Sequence, residues 1–179
     1  NTLELNMERT PDVLATVAAR AAQHVRLGWL SDAKYGPPND ELRVRNGYVL
    51  SMNAKTKVLN WASWETTKED YAPDAPRSNN WRSDPTLGDP AKLASVDDYR
   101  GAGLEYHRGH MVRSGERAAN KRENEKTFVL SNAVPQSKNN NVGSWNGLEE
   151  WVHTQANQGF RVYNQAGPVF SGPVKVLGK

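Results

Sequence analysis

Cysteine is absent from the 179 residues of this chain. Disulfide bonds and thiolate metal sites are therefore excluded, but the compartment stays open because secreted proteins can also lack cysteine. Long hydrophobic runs are absent as well, and none approaches the ~20 apolar residues that span a bilayer. We therefore expect no membrane partner. Internal repeats and low-complexity tracts are also missing, which favours an ordinary globular domain.

A strong excess of one charge is lacking too. The formal net charge is +3 and the isoelectric point is about 9.2, a balance that is compatible with a polyanionic partner without identifying one. The length is enough for one domain with a sizeable core. The sequence begins with Asn1 rather than methionine, as it would after removal of a signal segment. A secreted or periplasmic location is therefore expected slightly ahead of a cytoplasmic one.

The first quarter of the chain is predicted to be a helix and a linker. Apolar residues recur at helical spacing over residues 10–26, and the helix serves either to pack on the domain or to dock a partner. His24, near its end, is expected at the surface. A loop rich in glycine and proline follows. We therefore divide the chain into an N-terminal helix and linker, residues 1–40, and a main domain, residues 41–179.

The next region combines a hairpin with a long connection. Two β-prone runs, residues 48–52 and 58–62, flank a polar turn and predict a β-hairpin. Residues 66–98 contain several prolines and aspartates and predict an irregular connection. Loops of this length inside a compact domain are usually functional or disordered.

The most informative stretch follows. Two histidines at positions 107 and 110 flank Arg-Gly at the expected end of a strand. Residues 127–130 are β-prone, Pro135 is expected to end that strand, and the asparagine run 139–141 suits a loop. Apolar residues then recur at helical spacing up to Gly159, a suitable stop. A histidine pair and an Asn–Glu pair would thus meet on a strand–loop–helix unit, which can hold one divalent metal beside a general base.

These motifs resemble those of the DNA/RNA non-specific endonucleases, a family of ββα-metal (His-Me finger) nucleases. The residues that match the family's central motifs are Arg108, Gly109, His110, Leu130, Ser131, Asn132, Pro135, Gln136, Asn141, Trp145, Leu148 and Glu149. The similarity extends upstream and downstream to cover most of residues 47–170. One position departs from the pattern, because His107 stands where the family has aspartate.

The resemblance implies an α+β fold, with a central, mostly antiparallel sheet, flanking helices and a ββα-metal motif on one face. It also implies a metal-dependent, largely sequence-non-specific endonuclease acting on DNA, with RNA as a further candidate substrate. The family continues with more strands and a helix beyond the matched region. The chain is therefore either a minimal variant or one part of a longer protein, with the remainder supplied by a second chain. An immunity or inhibitor protein is a candidate partner, and the oligomeric state stays open.

Phosphodiester cleavage needs an activated nucleophile and stabilisation of the leaving oxygen. His110 is suited to deprotonate a water, because an imidazole of pKa about 6.5 is neutral yet basic. Mg²⁺, or Mn²⁺ in its place, prefers oxygen ligands and keeps several waters, so one Asn141 carbonyl plus phosphate oxygens can hold it. Glu149 would lie on the same side of a helix and hold a metal-bound water.

The remaining candidates are polar residues around this centre. Arg77 matches the family's catalytic arginine and would stabilise charge on the phosphorus through its planar guanidinium. Arg82 is the alternative for that role. We predict that Asn132 is one of the catalytic residues. Asn132 and Gln136 are expected to orient the loop or to contact the phosphates of the nucleic-acid backbone.

Two more arginines are candidates for binding the substrate. Arg108 is expected either to bind phosphate or to form a buried ion pair that braces the motif. Arg113 would begin a basic track for the nucleic acid, which continues to Arg117, unless this segment is a solvated face.

His107 puts the metal site in question. An imidazole in place of the family's carboxylate removes negative charge beside the cation and should weaken binding of Mg²⁺ or Mn²⁺. The site is then either active with an altered metal preference, because imidazole suits transition metals better, or the chain is a weakened form. Retained activity is expected, because the other matched catalytic and metal-binding residues are present.

Two alternative functions stay open on the sequence alone. The first is a zinc hydrolase with nitrogen and oxygen ligands from His107, His110, Glu149 and His153. The second is a nucleic-acid-binding module with an inactive site. Activity in the presence and absence of a chelator separates an enzyme from a binding module, and the identity of the metal separates the two enzymes.

Overall fold

The computed structural model describes residues 11–72, 75, 77–87, 94–101, 106–171 and 177. The helices within these ranges are α1 (Pro11–His24), α2 (Val96–Gly101), α3 (Lys121–Thr127) and α4 (Asn146–Asn157). The strands are β1 (Glu41–Val44), β2 (Val49–Asn53), β3 (Val58–Thr66), β4 (Tyr106–His110), β5 (Ala133–Ser137) and β6 (Val162–Ala166). Short 3₁₀ helices span Lys68–Asp70, Ser114–Arg117 and Leu130–Asn132, and a π-helix spans Asn140–Trp145. No helix among the described residues is long and apolar enough to cross a membrane.

The strands form two antiparallel sheets. The larger sheet has the order β1-β2-β3-β6, and β4 and β5 form a separate two-stranded sheet. The β2–β3 hairpin appears where the sequence predicts it. Strand β6 comes last and returns to pair with β3, placing Ala62 opposite Ala166. The architecture is α+β with antiparallel sheets and flanking helices, which confirms the predicted class.

Both faces of strand β2 are buried because successive side chains point to opposite faces. Leu50 and Met52 enter the larger apolar cluster, which also contains Val134 of β5. Val49 enters a smaller cluster with Ala21 on the other face. The larger sheet therefore has α1 on one face and the β5 strand of the β4–β5 unit on the other.

Helix α1 packs on the larger sheet, which is one of the two roles predicted for this segment. It matches the predicted helix over 10–26, of which residue 10 lies outside the described ranges. His24 corrects the prediction, because it is only 3% exposed instead of lying at the surface. His24 lies in the last turn of the helix, against the sheet, and its Nε2 donates to the Asn46 carbonyl at 2.8 Å. The domain boundary at residue 40 stays a prediction.

The strand predicted over residues 127–130 is wrong. Helix α3 ends at Thr127, a 3₁₀ helix follows, and the strand is β5, which contains Pro135. Proline has no N–H to donate, so it is tolerated only at edge strands. Strand β5 meets this condition, because β4 is its only partner among the described residues.

The asparagine run is helical, which corrects the predicted loop. Asn139 has helical dihedral angles, and the π-helix that begins at Asn140 continues directly into α4. Such π-turns within helices frequently occur at functional sites. The predicted stop at Gly159 agrees with the structure, because this residue has φ of +92° after the helix ends.

Part of the predicted connection over 66–98 lies outside the described ranges, namely residues 73, 74, 76 and 88–93. The described part contains a 3₁₀ helix and the start of α2. Its backbone is tied to the following region through Arg82, whose N–H donates to Phe128 O at 3.1 Å and whose carbonyl accepts from Leu130 N at 2.9 Å. The connection thereby brings Trp81 and its neighbours to the end of β4.

Candidate active site

The centre of the site is strand β4, which carries the two histidines on different faces. It pairs with β5 so that His107 lies opposite Gln136 and His110 lies opposite Ala133. Alternation along a strand predicts opposite faces for His107 and His110. The contacts agree, because His107 meets the π-helix while His110 meets Trp81.

Gly109 is required by the close approach of Gln136. A Cβ atom at position 109 would lie 2.2 Å from Gln136 Oε1, far inside van der Waals contact. Gln136 is buried, and its Oε1 has no hydrogen-bond partner within the described ranges. The sequence predicts substrate binding for Gln136, and the structure places it beneath the strand, across Gly109.

His110 is enclosed by aromatic rings. It is 8% exposed, with its ring centroid 4.5 Å from that of Trp81 and 4.9 Å from that of Phe128. Its Nε2 atom is buried without a hydrogen-bond partner among the described residues. Burial, together with the smaller effect of the positive charges of Arg77 and Arg108, lowers the pKa of His110 to about 3. The ring is therefore neutral at neutral pH.

The two arginines that act on His110 are held at the edges of this aromatic cage. Arg77 donates through Nη1 to Ser114 Oγ at 2.9 Å, and its guanidinium lies 5.0 Å from the Phe128 ring centre. Arg108 lies 5.5 Å from the ring centre of Trp81. Cation–π contacts of this kind fix a guanidinium without neutralising it. Within the described ranges no carboxylate forms an ion pair with either arginine, so both charges stay available to an anion.

Arg82 and Arg113 are placed differently from Arg77. The Arg82 side chain donates to the Asn80 carbonyl at 3.2 Å, within its own loop. Arg113 is engaged by two carboxylates, because it pairs with Glu150 and its Nε lies 3.5 Å from Glu149 Oε2. The predicted basic track does not continue to Arg117, which is 4% exposed and donates to backbone carbonyls.

Asn132 is fully buried and its amide is saturated by backbone groups. Its Oδ1 accepts from Val112 N at 3.0 Å, and its Nδ2 donates to Val112 O at 2.9 Å and to Thr127 O at 3.0 Å. Its own carbonyl accepts from Met111 N at 2.9 Å. These bonds lock the chain just after His110. This geometry suits a positioning role more than contact with substrate.

The π-helix carries the predicted metal ligand beside β4. Asn141 Nδ2 lies 3.0 Å from His107 Nδ1. Trp145, at the other end of the π-helix, donates from Nε1 to the His110 carbonyl at 3.1 Å. One helical segment is therefore bound to both histidine positions of the motif.

Glu149, in the first turn of helix α4, lies within the electrostatic influence of Arg113 and Arg77. Burial raises its pKa to about 7, although Arg113 opposes the shift, and the buried Glu116 adds to it. Glu116 accepts hydrogen bonds at 2.6 Å from Trp64 Nε1 and Thr66 Oγ1. A carboxyl group with a raised pKa is one that a nearby cation would return to its charged form.

These donors fit a hard divalent cation. Asn141 offers an amide oxygen, because its nitrogen is directed at His107, and Glu149 offers a carboxylate. Both are oxygen ligands of the kind that Mg²⁺ and Mn²⁺ accept alongside several waters. The residues that would hold the metal are thus Asn141 directly and Glu149 directly or through a water.

The structure does not bring the four proposed zinc ligands together as one site. No group of three or more His, Cys, Asp or Glu residues capable of holding a metal exists among the described residues, and all four proposed zinc ligands are described. His153 instead stacks on Tyr71 with ring centroids 4.3 Å apart, and its Nδ1 lies 3.9 Å from Glu150 Oε2.

Trp81, Phe128 and Glu116 are the residues that the sequence reasoning missed. Trp81 lies in the upstream part of the region that resembles the family, but the sequence predicts no role for it. Phe128 is predicted only as part of a β-prone run. Three residues separate Arg77 from Trp81, and this spacing was the available signal that the arginine and the ring belong to one site. Glu116 gave no signal, because a glutamate between charged neighbours is normally solvated.

Comparison with known proteins places this arrangement among nucleases. The family model described as DNA/RNA non-specific endonuclease matches residues 31–179. A nuclease of Nostoc sp. is 34% identical over 131 residues, which cover 73% of this chain and 47% of that protein. A nuclease of Serratia marcescens is 33% identical, with coverage of 71% and 48%.

A solved structure agrees with these sequences. The crystal structure of an EndoG/EndoGI complex matches with a TM-score of 0.72 and 26% identity, covering 88% of this chain and 62% of that chain. The chain thus spans about half the length of the curated nucleases from Nostoc and Serratia that it matches.

Proposed function

The chain belongs to the DNA/RNA non-specific endonuclease family, and we propose that it is a metal-dependent endonuclease that hydrolyses phosphodiester bonds in DNA and RNA. One observation carries the proposal. His110 holds a neutral ring between two aromatic side chains and within the field of two arginines, and its buried Nε2 has no hydrogen-bond partner among the residues that the structure describes. A buried polar atom without a partner is rare and calls for a functional explanation.

In the proposed mechanism His110 takes the proton of the attacking water. A pKa of about 3 makes the free ring a weak base. Arg77 and Arg108 contribute to that low value, and a phosphate group that pairs with them would cancel their effect. Substrate binding would therefore raise the basicity of His110 at the moment when it is needed.

Arg77 and Arg108 bind the phosphate in this scheme. Arg77 is anchored through Nε to Asn79 Oδ1 at 2.8 Å and through Nη1 to Ser114, so its guanidinium approaches the phosphate in a fixed orientation. A fixed guanidinium stabilises the extra charge of the transition state without reorganising. Contacts to phosphate carry no sequence information, which accounts for low sequence preference.

Asn141 and Glu149 would hold the divalent cation. Such a cation would supply stabilisation of the charge on the leaving 3′ oxygen. Asn132 and Gln136 act through the backbone and Gly109, because their side chains are buried around the β4–β5 pair. They keep His110 at its place between the aromatic rings.

A protein inhibitor is a further proposed partner. The similar solved structure is a complex of EndoG with EndoGI. Arg77 and Arg108, for which the described residues offer no ion-pair partner, would suit an acidic partner.

The test is digestion of supercoiled plasmid and of single-stranded RNA by the purified chain, with Mg²⁺, Mn²⁺ or Zn²⁺, or with EDTA. We expect nicking and RNA cleavage with Mg²⁺ or Mn²⁺ that EDTA stops. Binding without cleavage under every condition would contradict the proposal and favour the nucleic-acid-binding alternative.

A further inference from the structure

The contact between His107 and Asn141 is a nitrogen–nitrogen contact. Asn141 Nδ2 lies 3.0 Å from His107 Nδ1, and both side chains are half-buried. An amide nitrogen can only donate a hydrogen bond, whereas a ring nitrogen of neutral histidine can accept one. His107 Nδ1 is therefore the acceptor, and its proton is on Nε2.

The direction of this bond decides which atom of Asn141 is available to a cation. With Nδ2 bound to His107, the carbonyl oxygen Oδ1 points away from the imidazole. If His107 instead carried its proton on Nδ1, the amide would turn and present its oxygen to the histidine. A cation would then meet an NH₂ group, which is no ligand.

We propose that His107 is a positioning residue that orients the Asn141 amide, through an uncharged acceptor, so that its oxygen faces the metal. This inference rests on the proposed function, which supplies the identity of the metal. At this position, where the family has aspartate, the imidazole accepts the hydrogen bond from Asn141 and supplies no negative charge.

The absence of that charge has a measurable consequence. Glu149 is the carboxylate proposed for the metal, and Arg113 lies 3.5 Å from it. The metal-free centre is therefore less negative than one with an aspartate at position 107. Loss of a hydrogen-bonding partner of a ligand typically weakens metal affinity about 10–100-fold, and an added carboxylate strengthens it.

The first arm of the test is the tautomer of His107 in the metal-free chain. Nitrogen NMR of the imidazole side chains at pH 8 distinguishes a protonated from an unprotonated Nδ1. The chain has 4 histidines, so the His107→Asn spectrum identifies the signals of residue 107. We expect the Nε2–H tautomer, and an Nδ1–H tautomer would overturn the inference. This readout needs neither metal nor nuclease activity, so its failure is distinguishable from failure of the proposed function.

The second arm is binding of Mn²⁺, followed by the electron paramagnetic resonance signal of the free ion. His107→Phe removes the acceptor and should weaken binding at least 10-fold. His107→Asn restores a neutral acceptor near the position of Nδ1 and should remain within about threefold of the native chain. His107→Asp should bind more tightly than either. Circular dichroism of each variant verifies folding.

The matched control is His153→Phe. His153 is also half-exposed and lies on α4, but it contacts Tyr71 and Glu150 instead of Asn141, so Mn²⁺ affinity should not change. Equal affinities of the native chain and His107→Phe would overturn the inference. So would a His107→Asn variant as weak as His107→Phe, because an acceptor alone would then not be sufficient.

Discussion

Two buried histidines in this chain show the difference between a structural and a functional environment. His24 is 3% exposed and His110 is 8% exposed, and burial lowers the pKa of both. At His24 both ring nitrogens are satisfied, because Nε2 donates to Asn46 O and Nδ1 accepts from Glu65 N at 3.3 Å. At His110 the Nε2 atom has no partner within the described part of the chain.

The surroundings differ in the same sense. His24 lies where α1 packs on the larger sheet. The hydrogen bonds of its ring to Asn46 and Glu65 connect the helix to the sheet region. His110 lies between aromatic rings with two arginines nearby, which leave its lone pair free and the local charge positive. Burial alone therefore does not separate the two residues. The separation comes from what the ring nitrogens meet.

The largest expected effect separates the two histidines by activity. His110→Ala should lower the single-turnover rate of plasmid nicking about 10²–10⁴-fold, because it removes the proposed general base. The variant should still fold, with a moderately lower melting temperature, because the ring's packing contacts are lost but no hydrogen bond of Nε2 to a described residue is lost. The matched variant His24→Ala should retain the nicking rate at a temperature where it is folded. Equal losses in both variants would remove the distinction between the two sites.

The second effect concerns the arginines. Arg77→Ala should lower the cleavage rate about 10²–10³-fold, because a fixed donor to the transition state is lost. Arg82→Ala is the matched control, since its side chain bonds to the Asn80 carbonyl, and a loss of less than about tenfold is expected. Rates at saturating substrate measure both. A larger loss in Arg82→Ala would transfer the catalytic role to that residue.

The third effect is on stability, for which His24 is expected to matter more than His110. His24→Ala leaves the Asn46 carbonyl and the Glu65 N–H without their partner and should lower the free energy of unfolding by about 1–3 kcal/mol. His110→Ala should lower it less, because only apolar contacts of the ring are lost. Urea denaturation measures both changes. A His110→Ala chain that is the less stable of the two would contradict the assignment of His24 as the structural residue.

The smallest effect is the dependence of stability on pH. Burial holds the pKa of His24 below its unfolded value of about 6.5. Its contribution is therefore fully present above pH 6.5 and is lost as the pH falls through that value towards the folded pKa. The difference in unfolding free energy between the native chain and His24→Gln should shrink from pH 8 to pH 5. Taking the difference removes the contribution of Glu149, whose raised pKa has the opposite sign. A difference independent of pH would mean that His24 is not buried in the neutral form.

The sequence predicts strand β4 and the end of helix α4 better than it predicts the segment between them. The residues at 107–110 and the helix ending before Gly159 lie where periodicity and motif spacing place them, because both signals are local. The sequence does not predict the strand at 133–137, because a proline normally ends a strand, and Pro135 is tolerated here because its strand pairs on one side only. Burial of His24 could not be foreseen, since it depends on a sheet formed far along the chain.

Exposure on helix α4 shows the same limit. Trp145 packs against the larger apolar cluster, but Leu148 and Trp151, at helical spacing, are 50% and 55% exposed. Helical periodicity identifies a face of the helix, and it does not tell whether that face is covered. The hydrogen bonds of the Asn132 amide and the contacts of Arg113 with Glu149 and Glu150 likewise depend on tertiary structure. No local sequence pattern predicts them.

The most direct measurement is an NMR titration of the His24 and His110 rings with and without a short DNA duplex, in EDTA to prevent cleavage. In the free chain the His110 ring should be neutral at pH 5.5, and the pKa of His24 should lie below its ordinary value. With DNA bound, His110 should take up protons at a higher pH than before, because phosphate pairs with Arg77 and Arg108, while His24 should not change. A His110 ring that does not respond to DNA, or that shifts only as much as His24, would contradict its place at the reacting phosphate.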